Sequence, residues 1–482
     1  MVPNPKSDAP PHADAPPHAD APPHSDAIVF FGATGDLAYK QVFPALLGLV
    51  RDEKLNVPIV GMARAGWSLE KLKARAADSL RAHHIADNGA TRRLLNLMRY
   101  VDGDYSDPAT FQRLRNELGD AKRPLHYLAV PPSMFASVAG GLAASGCAEG
   151  ARLVIEKPFG HDRDSARTLS TLLAQNFPEQ SIFRIDHYLG KEPVQNIVYT
   201  RFANSMFEPI WNRDHICSIQ ITMAEDFGVQ DRGRFYDETG AIRDVVQNHM
   251  LQVLAQLTMD PPTGEEHEAM RDQKAALLKA VRPLGRDDVV RGQYEGYQSV
   301  EGVRAGSTVE TFVALRLFID TWRWSGVPIY IRAGKSLPVT ATEVTVQFKR
   351  PPRETFDEIV PTNSGHMRMR ISPDVTVAMG VRVKLHGERM IGEDVEMILT
   401  EQAADLMPPY QRLLWDAIRG LGELFGRDDI IDAQWRIVEP ILDDATPVYP
   451  YAPGSWGPPE AEALVGTDGP WRNPRLTPDA AS

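Results

Sequence analysis

Ten consecutive residues, Arg184-Ile185-Asp186-His187-Tyr188-Leu189-Gly190-Lys191-Glu192-Pro193, bring together an acid, an imidazole, a phenol and an amine. Val194, Ile197, Val198, Arg201 and Phe202 follow at helical spacing, and Glu192 and Pro193 are first-turn residues, so a helix is predicted to open here. Lys191 then stands at a helix N-terminus beside His187 and Tyr188, where the backbone dipole and side-chain donors converge on an anion. Each residue alone would read as a surface or capping residue; so dense a group of ionisable side chains is harder to explain as packing. A second stretch is Gly240-Ala241-Ile242-Arg243-Asp244-Val245-Val246-Gln247-Asn248-His249-Met250-Leu251-Gln252. Ile242, Val246, Met250, Val253 and Leu257 make one apolar stripe with His249 beside it. From periodicity alone His249 reads as a core histidine. A proton-transfer role needs a carboxylate to orient one ring nitrogen and leave the other free, and Asp186 is the candidate.

A third constellation is built to meet phosphate. Gly32-Ala33-Thr34-Gly35-Asp36-Leu37-Ala38 follows a strand and opens a helix. Gly32 permits the tight turn, Gly35 lets the backbone approach a pyrophosphate, and Ala38 allows close helix–sheet packing. A glycine pair is a weak signal; its place at the first strand–helix junction makes it a strong one. At the end of the second strand an NAD site carries an acid for the ribose 2′-hydroxyl, whereas NADP prefers an arginine. Here Gly61-Met62-Ala63-Arg64 offers Arg64 and no acid, which favours NADP over a merely solvated arginine. The gap from Gly32 to Arg64 is longer than usual, and Pro44 is expected to kink or divide the first helix.

These groups need a frame. From Ala27 the pattern alternates strand and helix: strands at 28–31, 57–64, 98–105, 126–130, 152–156 and 181–186, with helical stretches between them. That predicts a Rossmann-like, doubly wound α/β domain with a parallel sheet over residues 27–190, and puts Asp186 to Lys191 at the carboxyl end of a strand, where such sheets bind ligands. Beyond 190 the rhythm changes. Helices are expected over 193–203 and 240–258, and strands at 218–225, 307–320, 328–334, 343–348, 367–372 and 375–384. Strands grouped without intervening helices predict an α+β domain with a large, mainly antiparallel sheet over 191–482, carrying substrate binding and oligomerisation. The tail after Pro440 is expected to wrap the surface. Residues 1–26, with near-copies of PPHADA bearing His12, His18 and His24, read as a solvated, disordered arm.

Composition narrows the class. The 482 residues are 43% hydrophobic and 24% charged with net charge −12, which fits two globular domains and argues against nucleic-acid binding. Apolar runs are too short to span a membrane, no basic-then-apolar leader is evident, and two cysteines, Cys147 and Cys217, suit a reducing compartment. A cytoplasmic protein is expected.

The stretches IVFFGATGDLA, VIEKPFG, RIDHYLGKE, GAIRDVVQNHMLQ and IRAGKSLP, in this order and spacing, resemble the glucose-6-phosphate dehydrogenase family from about residue 27 to 442. The resemblance implies that His249 takes the proton of the sugar C1 hydroxyl while Asp186 orients it, with hydride passing from C1 to NADP to leave the lactone. It implies that His187, Tyr188 and Lys191 hold the sugar phosphate, Glu225 and Asp244 the ring hydroxyls, and that Lys335 reaches in from the second domain. Lys157 would lie between cofactor and sugar, with Lys157–Pro158 a candidate cis bond. Gly32, Ala33, Thr34, Gly35, Asp36, Leu37, Arg64 and Lys157 would hold the cofactor. No metal is required, since proton and hydride leave one C1–OH unit. The resemblance further implies a homodimer or homotetramer joined through the second domain's sheet. Two positions depart from the family: Thr340 replaces a basic residue five beyond Lys335, and Gln41 replaces one expected near the 2′-phosphate, leaving use of both NAD and NADP open. A dehydrogenase of another hexose 6-phosphate and a non-catalytic NADP-binding relative are the rival readings; the intact Asp186, His187, Lys191, Asp244 and His249 oppose the second.

Overall fold

The computed structural model describes residues 23–85, 89–264, 268–356, 358–361, 365–401, 407–466 and 469–475. Six strands, β1 Ala27–Phe31, β2 Ile59–Ala63, β3 Met98–Asp102, β4 Pro124–Leu128, β5 Arg152–Ile155 and β6 Ile182–Arg184, form a parallel sheet in the order β3-β2-β1-β4-β5-β6. β1, β2, β4 and β5 are buried along their whole length, as a sheet covered on both faces requires. One face carries α1 Phe43–Arg51, α2 Leu69–Ala82 and α3 Gly89–Leu97; the other carries α4 Pro108–Leu118, α5 Phe135–Ala144 and α6 Arg163–Ala174. Strand order reverses between β1 and β4, and the crevice above that reversal is the ligand position of such sheets. The first helix is divided as Pro44 predicts: a π-helical turn over Ala38–Val42 passes into α1, with Pro44 in its first turn.

The second domain opens with α7 Glu192–Ala203. Its nine-stranded sheet uses β7 Ile216–Ala224, β8 Val289–Tyr294, β9 Phe312–Leu317, β10 Ile329–Gly334, β11 Ala341–Phe348, β12 His366–Ser372, β13 Val375–Lys384, β14 Gly392–Glu401 and β15 Val448–Tyr451. The order is β14-β13-β12-β11-β7-β10-β9-β8-β15, antiparallel except where β7 meets β10 and β8 meets β15. Alternation decides its faces. Ile219, Ile221, Ile329, Ile331, Val344 and Val346 face a core that includes α7, α9 Leu251–Thr258, α10 Ala269–Ala280 and α12 Asp428–Val438. Gln220, Thr222, Arg332 and Glu343, intervening in the same strands, are also buried.

Four expectations are corrected. The strand expected over 307–320 is confined to Phe312–Leu317, while β8, β14 and β15 lay outside the expected set. The helix expected over 240–258 is interrupted: α8 Gly233–Ala241 breaks at Gly240, a π-helical stretch covers Ile242–Met250, and α9 follows. The tail does more than wrap: it supplies β15, α13 Glu460–Val465 and a buried Trp471. Pro23–Asp26 are not a loose arm either: Pro23 and His24 are exposed, but Ser25 is buried and the segment is tied to the first domain. Arg152 of β5 is a buried cation that must be satisfied, and it donates to Pro23 O (2.8 Å), Ser25 Oγ (3.0 Å) and Ile418 O (2.6 Å). The Asp26 carboxylate accepts from the amides of Lys122 and Arg123 at 2.9 and 2.8 Å. The earlier copies of the repeat, with His12 and His18, lie outside the described residues.

Candidate active site

The segment after β6 turns at once. Asp186 Oδ1 accepts the Tyr188 amide at 2.9 Å, an Asx turn that compacts 186–191 before α7 begins. The same oxygen lies 2.5 Å from His249 Nδ1, so the two stretches meet in space. Burial works against the Asp186 charge, but His249 and the Tyr188 amide outweigh it and hold the carboxyl below its ordinary value. Burial lowers His249 against the opposing pull of Asp186, leaving a neutral ring at neutral pH. The hydrogen bond to Asp186 assigns the proton to Nδ1 and the lone pair to Nε2. Lys157 Nζ lies 3.2 Å from that Nε2 and 2.9 Å from Asp244 Oδ1. The Lys157–Pro158 bond is cis.

The π-helical turn explains how Asp244 and His249 share one partner. Residues five apart on an α-helix lie about 140° apart round the axis. Hydrogen bonding of the i→i+5 type brings position 249 back beneath 244, and such turns recur at functional sites. The turn is launched by Gly240, at φ 67° and ψ 176°. A Cβ there would sit 2.4 Å from Glu310 Oε1, the atom that accepts the Ile242 amide at 3.1 Å.

Aromatic rings pack round His249. Tyr188 stacks on His249 with centroids 4.4 Å apart, His187 meets it edge-on at 4.5 Å, and Lys191 Nζ lies 3.8 Å above the Tyr188 ring. Burial, followed by the nearby His249, drives His187 down to about 3, so it is neutral in the free protein. Burial also lowers Lys191, against the pull of Asp186 and Glu225. Lys335, directly after β10, pairs with Glu225, directly after β7, at 2.5 Å. Thr340 accepts from the Asp226 amide at 3.0 Å and donates to its carboxylate at 2.5 Å, so the departure there pins the turn that presents Glu225. Asp186, His187 and His249 also bring three potential metal-ligand atoms within 4.8 Å of one another, with Asp186 Oδ1 already taken up by two hydrogen bonds.

Of these groups, Lys157, His187 and Asp244 line a cavity of about 820 Å³ that runs from Asp36, Leu37 and Lys40 past Glu156 to Asn248. A larger cavity, about 1160 Å³ along α7, has none of the expected site residues in its wall. Gln41 lies in the wall of the first cavity, together with Asp36 and Leu37 of the glycine turn and Lys40 just after it. The glycine turn fits a dinucleotide. Gly32 has φ 81°, and a Cβ would stand 2.2 Å from Ala129 O, so the turn can lie flat against β4. Ala33 donates to Met62 O at 3.1 Å, and Thr34, Gly35, Asp36 and Leu37 lead into the helix whose N–H groups open toward the crevice. Arg64 is 77% exposed and pairs with Asp104 at 2.7 Å.

Sequence reasoning missed two contributors. Tyr105 Oη donates to Met62 O (2.9 Å) and accepts from Gly32 (3.0 Å), locking the turn to β2. It lies outside every motif, so nothing in the pattern marks it. Glu156, beside Lys157, accepts from Tyr127 Oη at 2.5 Å in the cavity wall, and burial raises its carboxyl to about 7. Its place in VIEKPFG was the available signal.

Comparison with known proteins gives the same picture at the level of the whole chain. Family models for the glucose-6-phosphate dehydrogenase NAD-binding domain and C-terminal domain match residues 29–196 and 198–472. Glucose-6-phosphate 1-dehydrogenase 1 of Mycobacterium bovis is 43% identical over 93% of this chain and 96% of its own. The crystal structure of glucose-6-phosphate 1-dehydrogenase from Mycobacterium avium superposes with a TM-score of 0.89 at 42% identity, covering 94% of this chain and all of the other. A glucose-6-phosphate dehydrogenase solved with its substrate glucose 6-phosphate gives 0.86 at 34% identity, covering 95% of this chain and 100% of that one.

Proposed function

The chain belongs to the glucose-6-phosphate dehydrogenase family, and from that premise we propose that His249 is the base with which it oxidises C1 of glucose 6-phosphate. NADP, when bound at the glycine turn, supplies the nicotinamide that accepts the hydride from C1. His249 Nε2 takes the hydroxyl proton, and the carbonyl of the 1,5-lactone forms. Asp186 stabilises the imidazolium that results, as a buried carboxylate 2.5 Å from Nδ1 can. Lys157 must yield its place on Nε2 when the sugar hydroxyl arrives; Asp244, 2.9 Å away, keeps it close. His187, Tyr188 and Lys191 gather at the N-terminus of α7 to receive the 6-phosphate. Glu225 and Asp244 accept from ring hydroxyls, with Lys335 completing the far wall.

The observation that carries this reading is the Asp186–His249–Lys157 array at the edge of the sheet's crevice. Proton transfer of this kind contributes about 10²–10⁴-fold. In His249→Asn, turnover of glucose 6-phosphate with NADP should fall by about that factor while binding of the sugar phosphate persists, measured by cofactor reduction and by calorimetry. Unchanged turnover would return His249 to the core. Parallel assays with other hexose 6-phosphates test the sugar.

Self-association through the second sheet and residence in the cytoplasm complete the proposal. The first is supported by apolar side chains exposed along β14, the second by two cysteines that form no disulfide with each other. No helix among the described residues is long and apolar enough to cross a membrane.

A further inference from the structure

Arg75, on α2, connects the two phosphate-facing parts of the first domain. Its guanidinium lies over the Tyr39 ring at 4.8 Å and near the Trp67 ring at 6.0 Å. One Nη stands 3.6 Å from Asp36 in the glycine turn. Its Nε is buried without a hydrogen-bond partner among the described residues, and the side chain is 28% exposed. Asp36 belongs to the pyrophosphate turn, and Trp67 lies three residues beyond Arg64. Arg75 therefore spans the gap between the turn and the end of β2, where the ribose 2′ position falls in this fold.

The gap needs such a cation. Arg64 meets a 2′-phosphate with part of its charge already committed to Asp104, 2.7 Å away. Gln41, the position at which a second base was expected, is neutral and in the wall of the reaction chamber. A guanidinium has five donors in a planar fork suited to phosphate. Stacking on Tyr39 orients that fork, and a carboxylate at 3.6 Å is too distant to saturate it. We propose that Arg75 is a second ligand of the cofactor's 2′-phosphate, acting with Arg64 to set NADP over NAD. The inference rests on NADP being the cofactor.

The test is Arg75→Gln assayed with both cofactors, with binding of 2′,5′-ADP and 5′-AMP measured on the same protein. One lost charge-assisted hydrogen bond corresponds to about ten- to a hundredfold in affinity. The expected result is a loss of that size in kcat/KM for NADP and in 2′,5′-ADP binding, with NAD and 5′-AMP within about twofold of wild type. Equal losses on both cofactors would make Arg75 structural, and no loss on either would remove it from the site; both overturn the inference. If Arg75→Gln fails to fold, Arg75→Lys decides: a smaller loss confined to NADP supports the proposal, and an equal loss on both overturns it. Wild type that did not prefer NADP at all would undo the cofactor reading beneath it.

Discussion

Asp186 and His249 carry opposite burdens of burial, and their balance sets the working pH. As the proposed base, His249 must be neutral to accept a proton, so kcat/KM should fall as pH drops through the His249 value, which burial holds below the ordinary 6.5. Asp186 opposes that lowering. Removing its charge in Asp186→Asn should therefore move the acid limb of kcat/KM to still lower pH. The same change loses the partner of the imidazolium, so the plateau should drop by about 10²–10⁴-fold. A pH–rate profile of the two proteins checks both effects; a limb that moved upward would show that Asp186 does not act on His249 through its charge. At this scale the sequence was informative. The density of ionisable groups in 184–193 picked out a segment that the structure packs against His249. The periodicity around His249 pointed to the core, and the ring is indeed buried, but periodicity cannot see the carboxylate 63 positions away that gives a buried imidazole a use.

Elements were legible where a single period repeats and illegible where it changes within one run. β7 and β11 alternate and were expected to within two residues at either end, whereas the apolar stripe Ile242, Val246 and Met250, spaced by four, suits an α-turn and a wider one equally. What distinguishes them is Gly240, whose φ of 67° and ψ of 176° are nearly closed to other residues. Gly240→Ala places Cβ against Glu310, itself buried and paired with Arg291 at 3.0 Å. The strained backbone alone costs about 1–3 kcal/mol. A loss of at least that size should appear in urea denaturation, accompanied by reduced kcat as the turn bearing Asp244 and His249 shifts. Unaltered stability would mean that the chain relaxes locally and that Gly240 does not launch the π-helical stretch.

The chain as a whole closes on itself in a way that local pattern cannot reveal. α11 Pro409–Arg419, far along the sequence, packs Leu413, Leu414, Trp415 and Ile418 into the core beneath the first sheet, and Gln411 donates to Asp52 at 2.8 Å. Tyr410 at its start lies in the wall of the reaction chamber, so the return of the chain helps shape the site. The opposite extremity stays open. Among the described residues β14 is the edge of the nine-stranded sheet, pairing with β13 alone along ten residues, and an edge of that length offers unpaired backbone donors and acceptors to another strand. Val395, Met397 and Leu399 share one face of β14 and are 39, 57 and 75% exposed, with Val383 of β13 on the same face; Ile398, 56% exposed, points from the other face. An exposed apolar face of this kind supports the proposed association through the second sheet. Light scattering should accordingly find a dimer or tetramer in solution. In Met397→Glu/Leu399→Glu, like charges brought face to face should shift the mass toward the monomer, while NADP-dependent turnover per chain survives because β14 contributes no residue to the site. A wild-type monomer, or a double variant with unchanged mass, would place the contact elsewhere and leave the exposed edge of β14 to be explained by another partner.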